Sequence, residues 1–103
     1  MPKAFVFSWD ESRGAALRQK LERAGWEVDL ESTDGSRGFR RLQHWPPEMV
    51  VIDMGAMPQH GKMTAQTLAS SSFRSLPATF IDAGDHENFL KAMFPNATYG
   101  KMS

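Results

Sequence analysis

Residues 47–54 read Pro47-Glu48-Met49-Val50-Val51-Ile52-Asp53-Met54, and this stretch decides the fold. Four apolar side chains in unbroken succession suit a strand covered on both faces, whereas a half-exposed strand would alternate. Pro46-Pro47 ends whatever helix precedes it, and the Asp53 carboxylate stands at the strand's tip. Working outward, Ala4-Phe5-Val6-Phe7 is a second continuous run, breaking into Ser8-Trp9-Asp10-Glu11-Ser12. Leu76-Pro77-Ala78-Thr79-Phe80-Ile81 is a third, with Pro77 opening it as strand chemistry permits, and it too ends in a carboxylate, Asp82.

The segments between these strands carry helical periodicity. From Ser12, Gly14, Leu17, Leu21 and Ala24 recur at three- and four-residue steps, and Gly25 follows as a stop. Trp26, Val28 and Leu30 alternate with Glu27, Asp29 and Glu31, which predicts an edge strand with the acids on its more exposed face. After Thr33-Asp34-Gly35, a shorter helix carries Phe39, Leu42 and Trp45. Met54 to Gly61 reads as a loop, Lys62 to Phe73 as a helix with Ala65 and Leu68 inward, and Asp85 as the cap of a helix bearing Phe89, Leu90 and Met93. Ala97-Thr98-Tyr99 supplies a fifth strand. Strands alternating with helices force parallel pairing with right-handed crossovers, hence an open three-layer α/β sandwich. Such sheets work at the carboxyl ends of their strands, where Asp10, Glu11, Asp53 and Asp82 fall.

Composition narrows the function. The 103 residues, 41% hydrophobic and 23% charged, suit one globular domain spanning 1–103. No cysteine is present, which excludes disulfides, thiolate metal sites and thiol nucleophiles. Twelve basic residues against twelve acidic ones leave no electrostatic footprint for nucleic acid. No apolar run approaches the ~18 residues of a membrane span, so a cytosolic (cytoplasmic) chain of bacterial style is expected, with no membrane partner. His44, His60 and His86 lack metal-ligand spacing, and neither a Gly-x-Ser-x-Gly elbow nor a Gly-rich phosphate loop occurs.

The acids therefore carry the chemistry. Any one of them could simply cap the helix that follows its strand. Four of them at the ends of three strands expected to be adjacent would repel one another unless a cation or proton sat among them, and an oxygen-only set of this kind suits Mg²⁺.

These residues resemble the receiver domains of two-component response regulators. Residues 47–54 look like the family's Pro-Asp-(apolar)4-Asp-(apolar) strand, and Met57-Pro58 and Gly61 resemble its following Met-Pro and Gly, with Met57-Pro58 one residue late. The resemblance, over residues 3–101, implies the CheY-like, flavodoxin-like fold with sheet order 2-1-3-4-5. It makes Asp53 the phosphoacceptor for a histidine kinase, Asp10 and Glu11 with Asp53 the Mg²⁺ ligands, and Lys101 the ion-pair partner. The departures are informative. An ungapped count places Ser8 and Trp9 where the family has its acidic pair, and Asp82 stands where it uses Thr or Ser as a switch. Met102 replaces the proline after the family's lysine, and the last helix is missing, which would leave part of one sheet face as bare apolar surface. The expectation is a divergent or pseudo-receiver acting through protein contacts with a kinase, an output or regulatory domain, or a second copy as a homodimer. The alternative is an active phosphoacceptor using Mg²⁺.

Overall fold

The computed structural model describes residues 1–102. Five strands, β1 (Lys3–Phe7), β2 (Glu27–Glu31), β3 (Met49–Asp53), β4 (Ala78–Ile81) and β5 (Thr98–Gly100), form one sheet in the order β2-β1-β3-β4-β5, and every pairing is parallel. The helices are α1 (Glu11–Arg23), α2 (Gly35–His44), α3 (Pro58–Ala69) and α4 (Glu87–Met93), the last preceded by a short 3-10 turn at Gly84–His86. The flavodoxin-like α/β/α sandwich read from the sequence is the architecture found.

The two central runs are buried because each faces a helical layer on both sides. Phe5, Phe7, Val50, Ile52 and Phe80 pack with Leu42, Ala65, Leu68 and Leu90 on the side of α2, α3 and α4. Val6, Val51 and Ile81 pack with Leu17 of α1 on the other. Burying each such side chain contributes about 1.5–3 kcal/mol, which is why β1 and β3 occupy the centre. Helix α2 approaches the sheet closely at Gly38, where an added Cβ would lie 2.5 Å from Phe7 Cε1 and 3.1 Å from Glu31 Cβ. Gly25, at φ +97°, turns the chain out of α1.

Four sequence expectations need correction. Helix α3 begins at Pro58, within the expected loop, because proline is well suited to the first helical position, and it ends at Ala69 rather than Phe73. Asp85 lies inside the 3-10 turn and makes no cap bond to α4. Glu31 is 2% exposed instead of facing solvent. The sheet face beside α1 is not bare apolar surface. Val51 and Ile81 are buried there, with Leu21, Met49 and Met102 packed around them, and the register places the polar Thr79 beside Val51 and Thr98 beside Thr79.

Candidate functional site

Asp53 ends β3 at the carboxyl edge of the sheet, and its side chain is fully buried. A carboxylate so placed needs a partner at every lone pair. Ser8 Oγ, at the end of β1, donates to Asp53 Oδ2 at 2.8 Å, and the Gly55 amide donates to Oδ1 at 2.9 Å. Arg13 completes the set with both arms of its fork, Nε to Oδ2 at 2.8 Å and Nη2 to Oδ1 at 2.7 Å. The four acceptor positions of the carboxylate are thereby filled. Burial alone would raise the Asp53 pKa, but Arg13, the Gly55 amide and the Ser8 hydroxyl together hold it below the usual aspartate value. The same contacts, with those from Asp82, raise Arg13 further above its already high value.

Arg13 reaches this point because Asp10 starts α1. The Asp10 side chain accepts from the Arg13 backbone amide at 3.0 Å, fixing the first turn so that the guanidinium lies over the sheet edge. Its Nη2 also donates to Asp82 Oδ2 at 2.7 Å. One nitrogen thus bridges β3 and the residue that follows β4. Asp82 adopts φ +55°, a left-handed conformation that aspartate tolerates better than most residues. Its backbone amide donates to the Gly100 carbonyl at 2.8 Å.

The structure therefore brings Asp53 and Asp82 together through an arginine. Asp10 is engaged as a helix cap, and Glu11 is exposed in the first turn of α1. Lys101 is exposed and forms no ion pair among the described residues; it borders a small hollow with Asp82 and Tyr99. Nor do these acids form a divalent-cation site as they stand. Asp53 has no acceptor position left, Ser8 beside it is a donor to it, and no group of three His, Asp or Glu among the described residues could hold a metal ion. The cationic place against Asp53 and the Gly55 backbone is filled by the Arg13 guanidinium, which a Cβ on Gly55 would strike.

With this geometry in view, the solved structures similar to the chain are informative. A response regulator receiver protein from Burkholderia phymatum shares 25% identity at a TM-score of 0.73, over 98% of this chain and 82% of that one. The signal receiver domain of a modulated diguanylate cyclase from Desulfovibrio desulfuricans shares 27% at 0.73, over 98% and 81%. A response regulator protein from Thermotoga maritima, solved in complex with Mg(2+)-BeF, shares 14% at 0.76, over 100% and 87%. The chain has the receiver fold. No protein-family model and no curated protein matches its sequence. Within the receiver fold, Asp53 ends the central strand β3 between β1 and β4, so the strand-end carboxylate read from the sequence lies at the middle of the sheet's carboxyl edge.

Two charged residues of this edge, Arg13 and Glu31, lie outside the four acids singled out from the sequence. Arg13 drew no assignment from the sequence pattern, although an arginine three residues after a capping aspartate, in the turn nearest the strand ends, is the available signal. Glu31 breaks the alternation of β2. It accepts from Arg37 and Arg41, from the Thr33 and Asp34 amides and from Thr33 Oγ1; the Arg37 bonds foremost, then those from Thr33 and Asp34, hold its pKa well below the ordinary carboxylate range, against the opposing effect of burial.

Proposed function

We propose that this chain is a divergent receiver-like signalling domain that acts through protein contacts, with Asp53 at the phosphoacceptor position serving as a structural pivot. The observation that carries the reading is the filled carboxylate of Asp53, gripped bidentately by Arg13. Phosphoryl transfer needs an oxygen lone pair on Asp53 free to attack phosphorus, with cationic charge on the transferring oxygens. Here the lone pairs are taken, and the nearest cation is shared with a second carboxylate, Asp82, 2.7 Å from the same nitrogen. An added phosphate would meet that second anion at a cost on the order of 4 kcal/mol at ~4 Å and an effective dielectric of ~20. The residues as arranged do not fit Mg²⁺, because Asp53 has no free acceptor position and Arg13 fills the cationic place beside it. Protein contact is supported by apolar side chains left at the surface, Met57 and Met63 of the α3 region and Phe89 of α4.

The reading is tested by incubating the protein with acetyl phosphate and Mg²⁺ and measuring intact mass. The wild-type chain is expected to gain no phosphoryl group. A gain that disappears in Asp53→Asn would overturn the proposal and establish the chain as an active phosphoacceptor.

A further inference from the structure

A cleft of about 480 Å³ opens between α2 and α3, lined by neither Asp53, Arg13 nor Asp82. Its size is that of a small-molecule site. Trp9 and Phe39 give it an aromatic lining, and both are braced by Phe7, with ring centroids 6.3 and 5.3 Å away, so neither has to be ordered on binding. His60 meets the edge of Trp9 at 5.7 Å and fixes it from the α3 side.

The polar groups of the cleft are fewer and point to a ligand. Thr64 is only 5% exposed, and its hydroxyl has no hydrogen-bond partner among the described residues. Thr67 on the same helix satisfies its own hydroxyl on the Met63 carbonyl at 3.0 Å. The hydroxyl oxygen still reaches the cleft, since Arg18 Nε is the one buried side-chain atom without a partner among the described residues, and a ligand acceptor there would take the place of water. Gly35 leaves room there, because a Cβ at that position would come within 3.2 Å of Thr64 Oγ1.

Charge settles the ligand class. Of the three neighbouring arginines on α2, Arg37 and Arg41 are paired with Glu31, whereas Arg40, which borders the cleft, forms no ion pair among the described residues. The one acid on the rim, Asp34, already accepts from the Ser36 and Arg37 amides and has the Arg37 charge near it. We infer that this cleft binds a small planar aromatic anion, its ring against Trp9 and Phe39 and its acidic group served by Arg40 and the Thr64 hydroxyl. The acid can be a carboxylate or a phosphate, since both present the acceptor oxygens that an arginine fork matches.

Two probes separate these sources: indole-3-carboxylate and adenosine 5′-monophosphate, each titrated into the ¹⁵N-labelled full chain and followed by amide NMR, with indole and adenosine as the uncharged counterparts. At least one anion is expected to shift the Gly35, Phe39 and Thr64 amides to saturation and to bind more tightly than its uncharged counterpart. Thr64→Val should weaken it by about 2- to 10-fold, the worth of one hydrogen bond. Arg40→Gln, at an exposed position that does not threaten folding, should weaken it at least as much. Absence of saturable shifts with both anions at millimolar concentration overturns the inference, as does unchanged binding in Arg40→Gln. Failure here leaves the reading of Asp53 standing, because that rests on mass measurements at a different residue.

Discussion

Two buried carboxylates, Glu31 and Asp53, end strands β2 and β3, and each is gripped by an arginine fork together with backbone amides. Their chemistry is the same but their connectivity differs. The side-chain and amide donors to Glu31 come from positions 33, 34, 37 and 41, all within ten residues, so the cluster staples β2 to the start of α2. Asp53 draws on Gly55 beside it but also on Ser8 and Arg13, 45 and 40 residues away, and Arg13 continues to Asp82, 69 residues away. The exposure of the arginines differs too, with Arg37 53% exposed, Arg41 39% and Arg13 27%. A local ion pair near water can relax when it loses one member. A pair that joins three chain segments over a fully buried acid has less recourse.

That contrast is broken most sharply by removing the arginines singly. Arg13→Ala should cost about 3–5 kcal/mol in urea unfolding, because it strands the buried Asp53 charge. Arg37→Ala should cost less than about 1 kcal/mol, since Arg41 remains on Glu31 and the lost side chain was largely solvated. Equal losses would erase the distinction. Arg13→Lys, which keeps the charge but not the fork, should fall between them.

The next test is acidity. Both carboxylates titrate below their ordinary values in the folded protein, so the unfolded chain binds more protons in acid. The stability they confer is complete above their unfolded pKa values of about 4 and is lost as pH falls below that. Glu31→Gln should remove on the order of 2 kcal/mol of the decline between about pH 5 and pH 2, making the stability curve flatter while lowering its neutral plateau. A curve parallel to that of the wild type would show that Glu31 gains no net stabilisation from its partners.

The smallest expected effect sharpens the comparison at Gly55. A methyl there first meets the far end of the Arg13 side chain, which can move. Gly55→Ala should therefore cost only about 1 kcal/mol while loosening Arg13 from Asp53, and acetyl phosphate with intact-mass detection reads whether the carboxylate has become reactive. A loss as large as that of Arg13→Ala would mean that the guanidinium has nowhere else to go.

The parallel α/β layering was legible in the sequence because three largely apolar runs, ending at Phe7, Ile52 and Ile81, were each followed by a helical pattern, whereas the sheet order came only from the resemblance to receiver domains. Hydrophobic period is a strong, local signal, and Asp53 was found because it closes one of those runs. The clusters were less legible. Alternation in β2 assigned Glu31 to solvent, and what overrides it is a donor set assembled from the next turn and the face of α2. Arg13 could not be matched to Asp53 by spacing, since 40 residues and two crossovers lie between them. Likewise the expected bare sheet face rested on a missing helix, while the burial of Val51 and Ile81 depends on side chains such as Met49 and Met102 whose reach no pattern discloses.

Asp82 also limits which side chains its position can carry. Its backbone lies at φ +55°, a region where a β-branched residue is markedly disfavoured and where most side chains cost about 1–2 kcal/mol. Writing threonine into that position would thus demand a new path for the polypeptide after β4 as well as a new hydroxyl. A hydroxyl at this edge is therefore a matter of conformation, and exchanging the side chain alone does not supply it.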